Sequence, residues 1–281
     1  MSKKVFILVG GALLVVALIS GGLLLTNKKT TPKAKSEAPV RTYVAMGDSV
    51  AAGLGLATYS DESACNRTNQ AYPNFVARAH NLRLISLACS GATMAKGVLG
   101  PQDVNDLSVK PQIEQLFALP KPALITITVG ANDIEWLNLL ARCVSGNCGT
   151  EADTTMVNDR LNQLSNDVHS MLSQIGDHYG SATPQVVLGG YYQILPPDLA
   201  SNCNEMTGFS HTELLWEQSQ LANLNITLAT ATANFSFAKF TPVSFDGHEL
   251  CTATPWIQNL SSPAPYHPTA VGQSTYAEAI R

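Results

Sequence analysis

The chain has 281 residues, of which 45% are hydrophobic and 14% are charged. This composition is ordinary for a globular domain with a sizeable core, and it excludes a disordered chain. The net charge of −4 is divided unevenly, because residues 1–40 contain six lysines and one glutamate and leave 11 basic and 20 acidic residues in 41–281. The acidic residues of 41–281 repel phosphate backbones, so nucleic acid is not an expected partner.

Residues 5–25 form an uncharged apolar stretch that follows Lys3 and Lys4. The stretch is long enough to span a bilayer and longer than the apolar region of most cleaved signal peptides. No clear small-x-small cleavage site follows it, so we expect a membrane anchor at 1–25, with a cleaved signal as the alternative. Residues 26–40 are mostly Lys, Thr, Pro, Ala and Ser, which predicts a flexible linker to one domain over 41–281.

Six cysteines indicate the compartment of that domain. An even number of cysteines behind an export signal is typical of disulfides formed in an oxidising environment. Sequence alone cannot choose among the possible pairings, and we expect the sequential one, which is Cys65–Cys89, Cys143–Cys148 and Cys203–Cys251. The domain is therefore predicted on the extracellular side of the membrane, or secreted if the N-terminal segment is cleaved.

The motifs of metal and nucleotide sites are missing from the sequence. His248 and Cys251, and likewise Cys143 and Cys148, lack the paired spacing that is typical of zinc sites. No Walker A or Gly-x-Gly-x-x-Gly run follows a predicted strand. We therefore expect neither a metal nor another cofactor.

Apolar periodicity predicts strands that alternate with helices along 41–281. Apolar runs rich in β-branched residues predict strands beginning at residue 43 and at 82–88, 123–129, 184–190 and 237–245. Helical spacing predicts helices at 71–80, 155–176, from 210 onward and at 269–280. Five such strands joined by helices predict an α/β domain with three layers, a central parallel sheet between two layers of helices.

Four short polar stretches follow predicted strands or precede the last helix: Gly47-Asp-Ser49, Cys89-Ser-Gly91, Gly130-Ala-Asn-Asp133 and Pro265-Tyr-His267. The carboxyl ends of parallel strands form one ligand-binding edge, so stretches that are remote in sequence meet there. Serine becomes a nucleophile when a base such as histidine takes its proton. Glycine corners and an asparagine amide supply donors for an oxyanion. The pattern therefore predicts acyl transfer.

In order and spacing these stretches resemble the GDSL or SGNH hydrolases, and the resemblance covers essentially all of 41–281. It implies a flavodoxin-like fold and an esterase or lipase in which Ser49 is the nucleophile and His267 the general base. The oxyanion hole would be formed by the N–H groups of Ser49 and Gly91 and by the Asn132 side chain. The six cysteines are similar to those of secreted actinobacterial-type esterases and lipases of this family, which carry three disulfides.

One position departs from the family pattern. Many members place an aspartate three residues before the histidine, whereas this chain has Ala264 there. Either a backbone carbonyl near Ala264 or a remote carboxylate such as Asp246 then accepts the Nδ1 hydrogen of His267. We expect the carbonyl, which makes a Ser-His dyad.

Three neighbours of these motifs receive structural interpretations. Asp48 is expected to bond the turn at Ser49, and Asp133 to hold the loop of Asn132. Trp136, one helical turn beyond Asn132, either lines an acyl pocket or packs in the core.

The predicted function is therefore hydrolysis of small-molecule or lipid carboxylic esters by a monomeric enzyme attached to the membrane through its N-terminal segment. A carbohydrate O-acetylesterase that acts on cell-surface polysaccharide would use the same residues and is the alternative. A catalytically inactive flavodoxin-like binding domain would share the fold. The joint presence of Ser, Gly, Asn and His in the family's order favours the enzyme.

Overall fold

The computed structural model describes residues 41–57, 64–201 and 203–281. The predicted anchor over 1–25 and the predicted linker over 26–40 lie outside the described residues. Within the described ranges, no helix is both long enough and apolar enough to cross a membrane.

A parallel sheet forms the centre of the domain. The described residues contain seven strands, which are β1 (Thr42–Gly47), β2 (Arg83–Ser86), β3 (Gln102–Val104), β4 (Leu107–Val109), β5 (Leu124–Thr128), β6 (Gln185–Gly189) and β7 (Ala238–Thr241). Five of them form the sheet in the spatial order β2-β1-β5-β6-β7, and every neighbouring pair is parallel. The order is the flavodoxin-like one, and it confirms the predicted fold. Strands β3 and β4 pair separately as an antiparallel hairpin.

Helices flank the sheet and connect its strands. They are α1 (Ser49–Ala52), α2 (Tyr72–Ala79), α3 (Gln112–Phe117), α4 (Trp136–Val144), α5 (Glu151–Tyr179), α6 (His211–Thr232) and α7 (Ala270–Ile280), with short 3₁₀ turns at Gly180–Ala182 and Asn204–Met206. Helix α5 packs against α6, and α2 packs against α7. These two pairs account for most of the helical layers on either side of the strands.

The central strands β1 and β5 are buried on both faces, as their nearly continuous apolar sequences predict. Their few hydroxyl groups are satisfied inside the core. Tyr43 Oη lies 2.6 Å from Thr126 Oγ1 on the neighbouring strand, and Tyr72 Oη lies 2.9 Å from Thr128 Oγ1. The Tyr276 ring stacks on that of Tyr72, and its hydroxyl lies 3.1 Å from Thr128 Oγ1. A buried hydroxyl without a hydrogen-bond partner costs free energy. These contacts therefore allow polar residues in strands that are buried on both faces.

Element boundaries differ from the prediction where polar capping or proline decides them. Helix α5 begins at Glu151 instead of residue 155, because Thr150 and Asp153 form a capping box whose polar residues carry no apolar period. Strand β7 stops at Thr241 instead of residue 245, because Pro242 has no N–H to donate. Helix α4 was not predicted, although its buried residues Trp136, Leu139, Leu140 and Cys143 have helical spacing.

One buried acid lowers the stability of this fold in neutral solution. Glu217 in α6 is 1% exposed, and both of its carboxylate oxygens lack a hydrogen-bond partner among the described residues. Burial raises the pKa of Glu217 to about 8. The folded state therefore keeps a proton that the unfolded chain releases above its ordinary carboxyl pKa, so stability is lost as the pH rises from about 4.5 to 8.

Replacing Glu217 with Met should therefore raise the free energy of unfolding, by about 1–3 kcal/mol at pH 8, because an uncompensated polar group leaves the core. The gain should shrink as the pH falls toward 5, because the folded carboxyl is then protonated and the unfolded one approaches its own pKa of about 4.5. Urea unfolding at both pH values measures this. Glu278→Met, at an exposed position of α7, is the matched control. An equal gain for Glu217→Met at both pH values would contradict the argument.

Candidate active site

The predicted nucleophile stands at the sharp corner where β1 becomes α1. Gly47 has φ +124°, and a Cβ there would lie 2.1 Å from the carbonyl oxygen of Thr128, so only glycine fits. Asp48 caps α1 by accepting a hydrogen bond from the Val50 N–H at 2.9 Å. Ser49 is the first helical residue and is 8% exposed. Asp48 thus has the turn-bonding position expected of it.

The imidazole of His267 faces this serine. Its Nε2 lies 2.7 Å from Ser49 Oγ, although 218 positions separate the two residues in sequence. Its Nδ1 lies 2.9 Å from the carbonyl oxygen of Pro265. Because a carbonyl only accepts hydrogen bonds, Nδ1 carries the hydrogen and Nε2 keeps a free lone pair toward the serine hydroxyl.

Burial also favours the neutral imidazole. It lowers the pKa of His267, against the smaller opposing effect of the Pro265 and Ala264 backbone. Asp246, the remote carboxylate considered above, is exposed and lines a different surface pocket together with Gln193 and Leu195. The atom that faces His267 Nδ1 is thus a main-chain oxygen next to Ala264.

Asn132 follows β5 and has its amide held in one orientation. Its Nδ2 donates to the Ala92 carbonyl oxygen at 2.9 Å, and a second amide hydrogen remains on the same nitrogen. Asp133 accepts a hydrogen bond from the Met94 N–H at 2.9 Å, which ties the Asn132 loop to the loop after Cys89. This contact agrees with the loop-holding role expected of Asp133. Burial raises its pKa to about 6.

Gly91 lies in that neighbouring loop. It is exposed, has φ +81°, and is not among the residues that line the cavity at Ser49. The Cys89 N–H donates to the Gly47 carbonyl oxygen at 2.9 Å, so the segment after β2 still runs beside β1 when it reaches the site. The structure brings Ser49, Asn132 and His267 around one cavity, and Gly91 is not part of its lining.

Three disulfides are present: Cys65–Cys89, Cys143–Cys148 and Cys203–Cys251. The first ends two residues before Gly91, and Ser90 N–H donates to the Cys65 carbonyl oxygen at 3.1 Å. A covalent link and a backbone hydrogen bond therefore restrain the Gly91 loop from the same side.

A small space, here called the inner cavity, opens at the serine. It has about 40 Å³ of free volume, and Ser49, Asn132 and His267 share its lining with Trp136, Ile194 and Leu221. Trp136 is 4% exposed, so it packs in the core and also lines the cavity at Ser49.

A larger space, here called the outer groove, begins on the other side of His267. It has about 510 Å³ of free volume and is lined by Leu54, Ala141, Val144, Leu260, Pro263 and Ala264. Leu137, Tyr266 and His267 line both spaces. The two spaces are therefore neighbours that meet at the histidine.

Two tyrosines at the site were not predicted from the sequence. Tyr191 Oη donates a short hydrogen bond to Asp48 Oδ2, and Tyr192 Oη donates to the Tyr266 carbonyl oxygen at 3.2 Å. Burial raises the pKa of Asp48 to about 7, and the Tyr191 hydrogen bond opposes the rise. Both tyrosines follow β6 directly, so their place at the carboxyl edge of a strand was a signal that could have found them.

Three buried glutamines were also missed. Gln112 binds both the N–H and the carbonyl of Gly47, at 2.7 and 2.9 Å, and Gln273 donates to the Val50 carbonyl oxygen at 3.0 Å. Gln258 donates to the Leu54 carbonyl oxygen at 3.0 Å and to that of Pro268 at 3.1 Å. The glutamine amides thereby satisfy the backbone around Ser49 and join it to the His267 loop.

Comparison with known proteins identifies the family of the chain. Residues 45–274 match the model of the GDSL-like lipase/acylhydrolase family. The chain is similar to a lipase of Streptomyces rimosus, with 30% identity over 83% of this chain and 82% of the relative, and to lipase 1 of Streptomyces coelicolor, with 30% identity over 91% of each.

A solved structure gives the same result. The crystal structure of the extracellular lipase from Streptomyces rimosus superposes with a TM-score of 0.61 at 28% identity, over 85% of this chain and 98% of that one. The family match and these relatives span nearly all of the described domain. The chain therefore belongs to the GDSL-like lipase/acylhydrolase family and is a carboxylic ester hydrolase.

Proposed function

We propose that the enzyme works through an acyl-enzyme on Ser49, with His267 as general base and then general acid. The observation that carries the proposal is the 2.7 Å contact between Ser49 Oγ and His267 Nε2. The free lone pair on Nε2 accepts the serine proton as Oγ attacks the ester carbonyl carbon. The same proton then goes to the departing alcohol, and water repeats the sequence on the acyl-enzyme.

The oxyanion of the tetrahedral intermediate would be bound by the N–H groups of Ser49 and Gly91 and by Asn132 Nδ2. The second amide hydrogen of Asn132 supports this role, because the Ala92 carbonyl fixes which end of the amide faces the cavity. The restraint of the Gly91 loop by Cys65–Cys89 supports it further, since preorganised donors need no reorganisation during the reaction.

We propose a Ser-His dyad in which the Pro265 carbonyl orients the imidazole. A carbonyl selects the productive tautomer, as the aspartate of a triad does. It adds no negative charge beside the imidazolium that forms in the transition state, so the expected consequence is lower activity than a triad provides.

Substitutions separate these roles. Ser49→Ala and His267→Ala should abolish hydrolysis of p-nitrophenyl acetate, and Asn132→Ala should lower kcat by about 10²–10³, the loss typical of one oxyanion donor. Asp246→Asn should leave kcat and KM unchanged. A loss in Asp246→Asn as large as that in His267→Ala would replace the dyad with a triad, and full activity in Ser49→Ala would remove the proposal.

The pH dependence follows from the burial of His267. Catalysis needs the neutral imidazole, whose pKa is lowered by burial, so kcat/KM should be lost on acidification with an inflection below the ordinary histidine value of about 6.5. A pH profile with p-nitrophenyl acetate measures it. Asp48 also titrates nearby, with a pKa of about 7, so Asp48→Asn is the control that should retain the histidine inflection. An inflection above 7 in that variant would contradict the assignment.

The enzyme is further proposed to act outside the cytoplasm. The three disulfides and the apolar stretch at 5–25, which serves as anchor or signal, support this location. Alkylation of the non-reduced protein from its native host should then label no cysteine. Labelling of all six would place the chain in a reducing compartment.

The alternative, a carbohydrate O-acetylesterase, would use the same catalytic residues. The lining of the outer groove favours an apolar substrate over a sugar, because among the described residues only Tyr266 and His267 bring polar side chains to it. Sugar rings need several hydrogen-bonding side chains around them, and this groove offers mainly aliphatic carbon.

A further inference from the structure

The two spaces at the active site differ in size and in what they touch. The inner cavity contains the serine, the Asn132 amide and the histidine, and its free volume is about 40 Å³. The outer groove is more than ten times as large, touches His267, and includes neither Ser49 nor Asn132 in its lining. An ester at Ser49 can place one of its two ends in each space, because the two spaces meet at His267.

The chemistry decides which end goes where. During attack on an ester, the carbonyl oxygen points to the Asn132 amide, and the alcohol oxygen must come within reach of His267 Nε2 to receive its proton. The alcohol therefore leaves past the histidine, which is the side on which the outer groove begins. The acyl substituent stays with Ser49 and Asn132 in the inner cavity, whose walls include Trp136 and Leu221.

The lining of the outer groove suits a long apolar chain. Leu54, Val144 and Leu260 contribute aliphatic side chains, and Leu137 and Leu260 leave 45% and 44% of their surface exposed. Exposure of large leucine side chains to water is unfavourable in the free enzyme. A bound hydrocarbon chain beside the histidine would cover this apolar surface and so gain free energy.

We propose that this enzyme prefers esters of small acyl groups, of about acetyl size, with long apolar alcohols, an assignment that rests on the dyad proposed above. In the first step the Ser49 Oγ–carbon bond forms, the carbon–oxygen bond to the alcohol breaks, and the serine proton leaves on that alcohol. In the second step water adds to the acyl carbon, Oγ takes back a proton through His267, and the short carboxylic acid is released.

Two isomeric esters test the assignment. Octyl acetate and ethyl octanoate share one molecular formula and exchange the long chain between the alcohol and the acyl side. With the full chain, and below the solubility limits, titration of the released acid should give octyl acetate a kcat/KM at least about tenfold higher, a ratio that two buried methylenes suffice to produce. An equal rate, or a preference for ethyl octanoate, would overturn the assignment.

A matched pair of variants locates the long chain. Ala141 lines only the outer groove, so Ala141→Phe should lower kcat/KM for octyl acetate about tenfold and for ethyl acetate much less. Asn138→Phe adds the same ring to an exposed position of α4 that lines neither space, and should change neither ester.

The remaining outcomes are distinguishable. A loss in Ala141→Phe confined to ethyl octanoate would show that the groove holds the acyl chain, and would overturn the assignment alone. Absence of turnover above Ser49→Ala with every ester would overturn the proposed catalytic residues, and the substrate assignment with them.

Discussion

The active site depends on satisfying the backbone at a buried corner. The chain turns from β1 into α1 inside the core, and peptide groups of Gly47, Val50 and Leu54 take side-chain hydrogen-bond partners there. Each unpaired group would cost as much as a lost hydrogen bond. The amides of Gln112, Gln273 and Gln258 supply the missing partners. The position of Ser49 therefore follows from the hydrogen bonds that satisfy the backbone around it.

The same interactions connect Ser49 to His267. The backbone of Gln258 forms two hydrogen bonds with the histidine loop. Its N–H donates to the His267 carbonyl oxygen at 2.7 Å, and its carbonyl accepts from the Tyr266 N–H at 2.8 Å. Its side chain reaches Leu54, just beyond α1. Tyr266 holds a left-handed φ of +69°, a conformation that survives only where surrounding contacts enforce it. Gln258 therefore links the His267 loop to the segment just beyond Ser49.

The architecture and the motif-bearing loops could be predicted from the sequence, because the periodicity of apolar residues and the short motifs are local signals. The parallel sheet followed from β-branched runs such as 123–129. The β3–β4 hairpin was missed although Asn105 and Asp106, both with positive φ, have the residue types of a two-residue type I′ turn. The buried glutamines leave no local trace, because the partners around Ser49 lie 65 to 223 positions away in sequence. Burial likewise raises the pKa of Asp48 and of Glu217, and sequence alone does not give burial.

The acceptor for His267 Nδ1 is a main-chain atom, and this changes how the site responds to mutation. A triad aspartate is lost by a single codon change, whereas no side-chain substitution deletes the Pro265 carbonyl. The positions most sensitive to mutation are then those that shape the His267 loop. Gly55 is one such position, because a Cβ there would lie 2.4 Å from Gln258 Oε1 and 2.5 Å from Ala264 Cβ. Substitutions that inactivate this enzyme should therefore concentrate around His267, at residues with small side chains or a left-handed backbone, and away from the reacting atoms themselves.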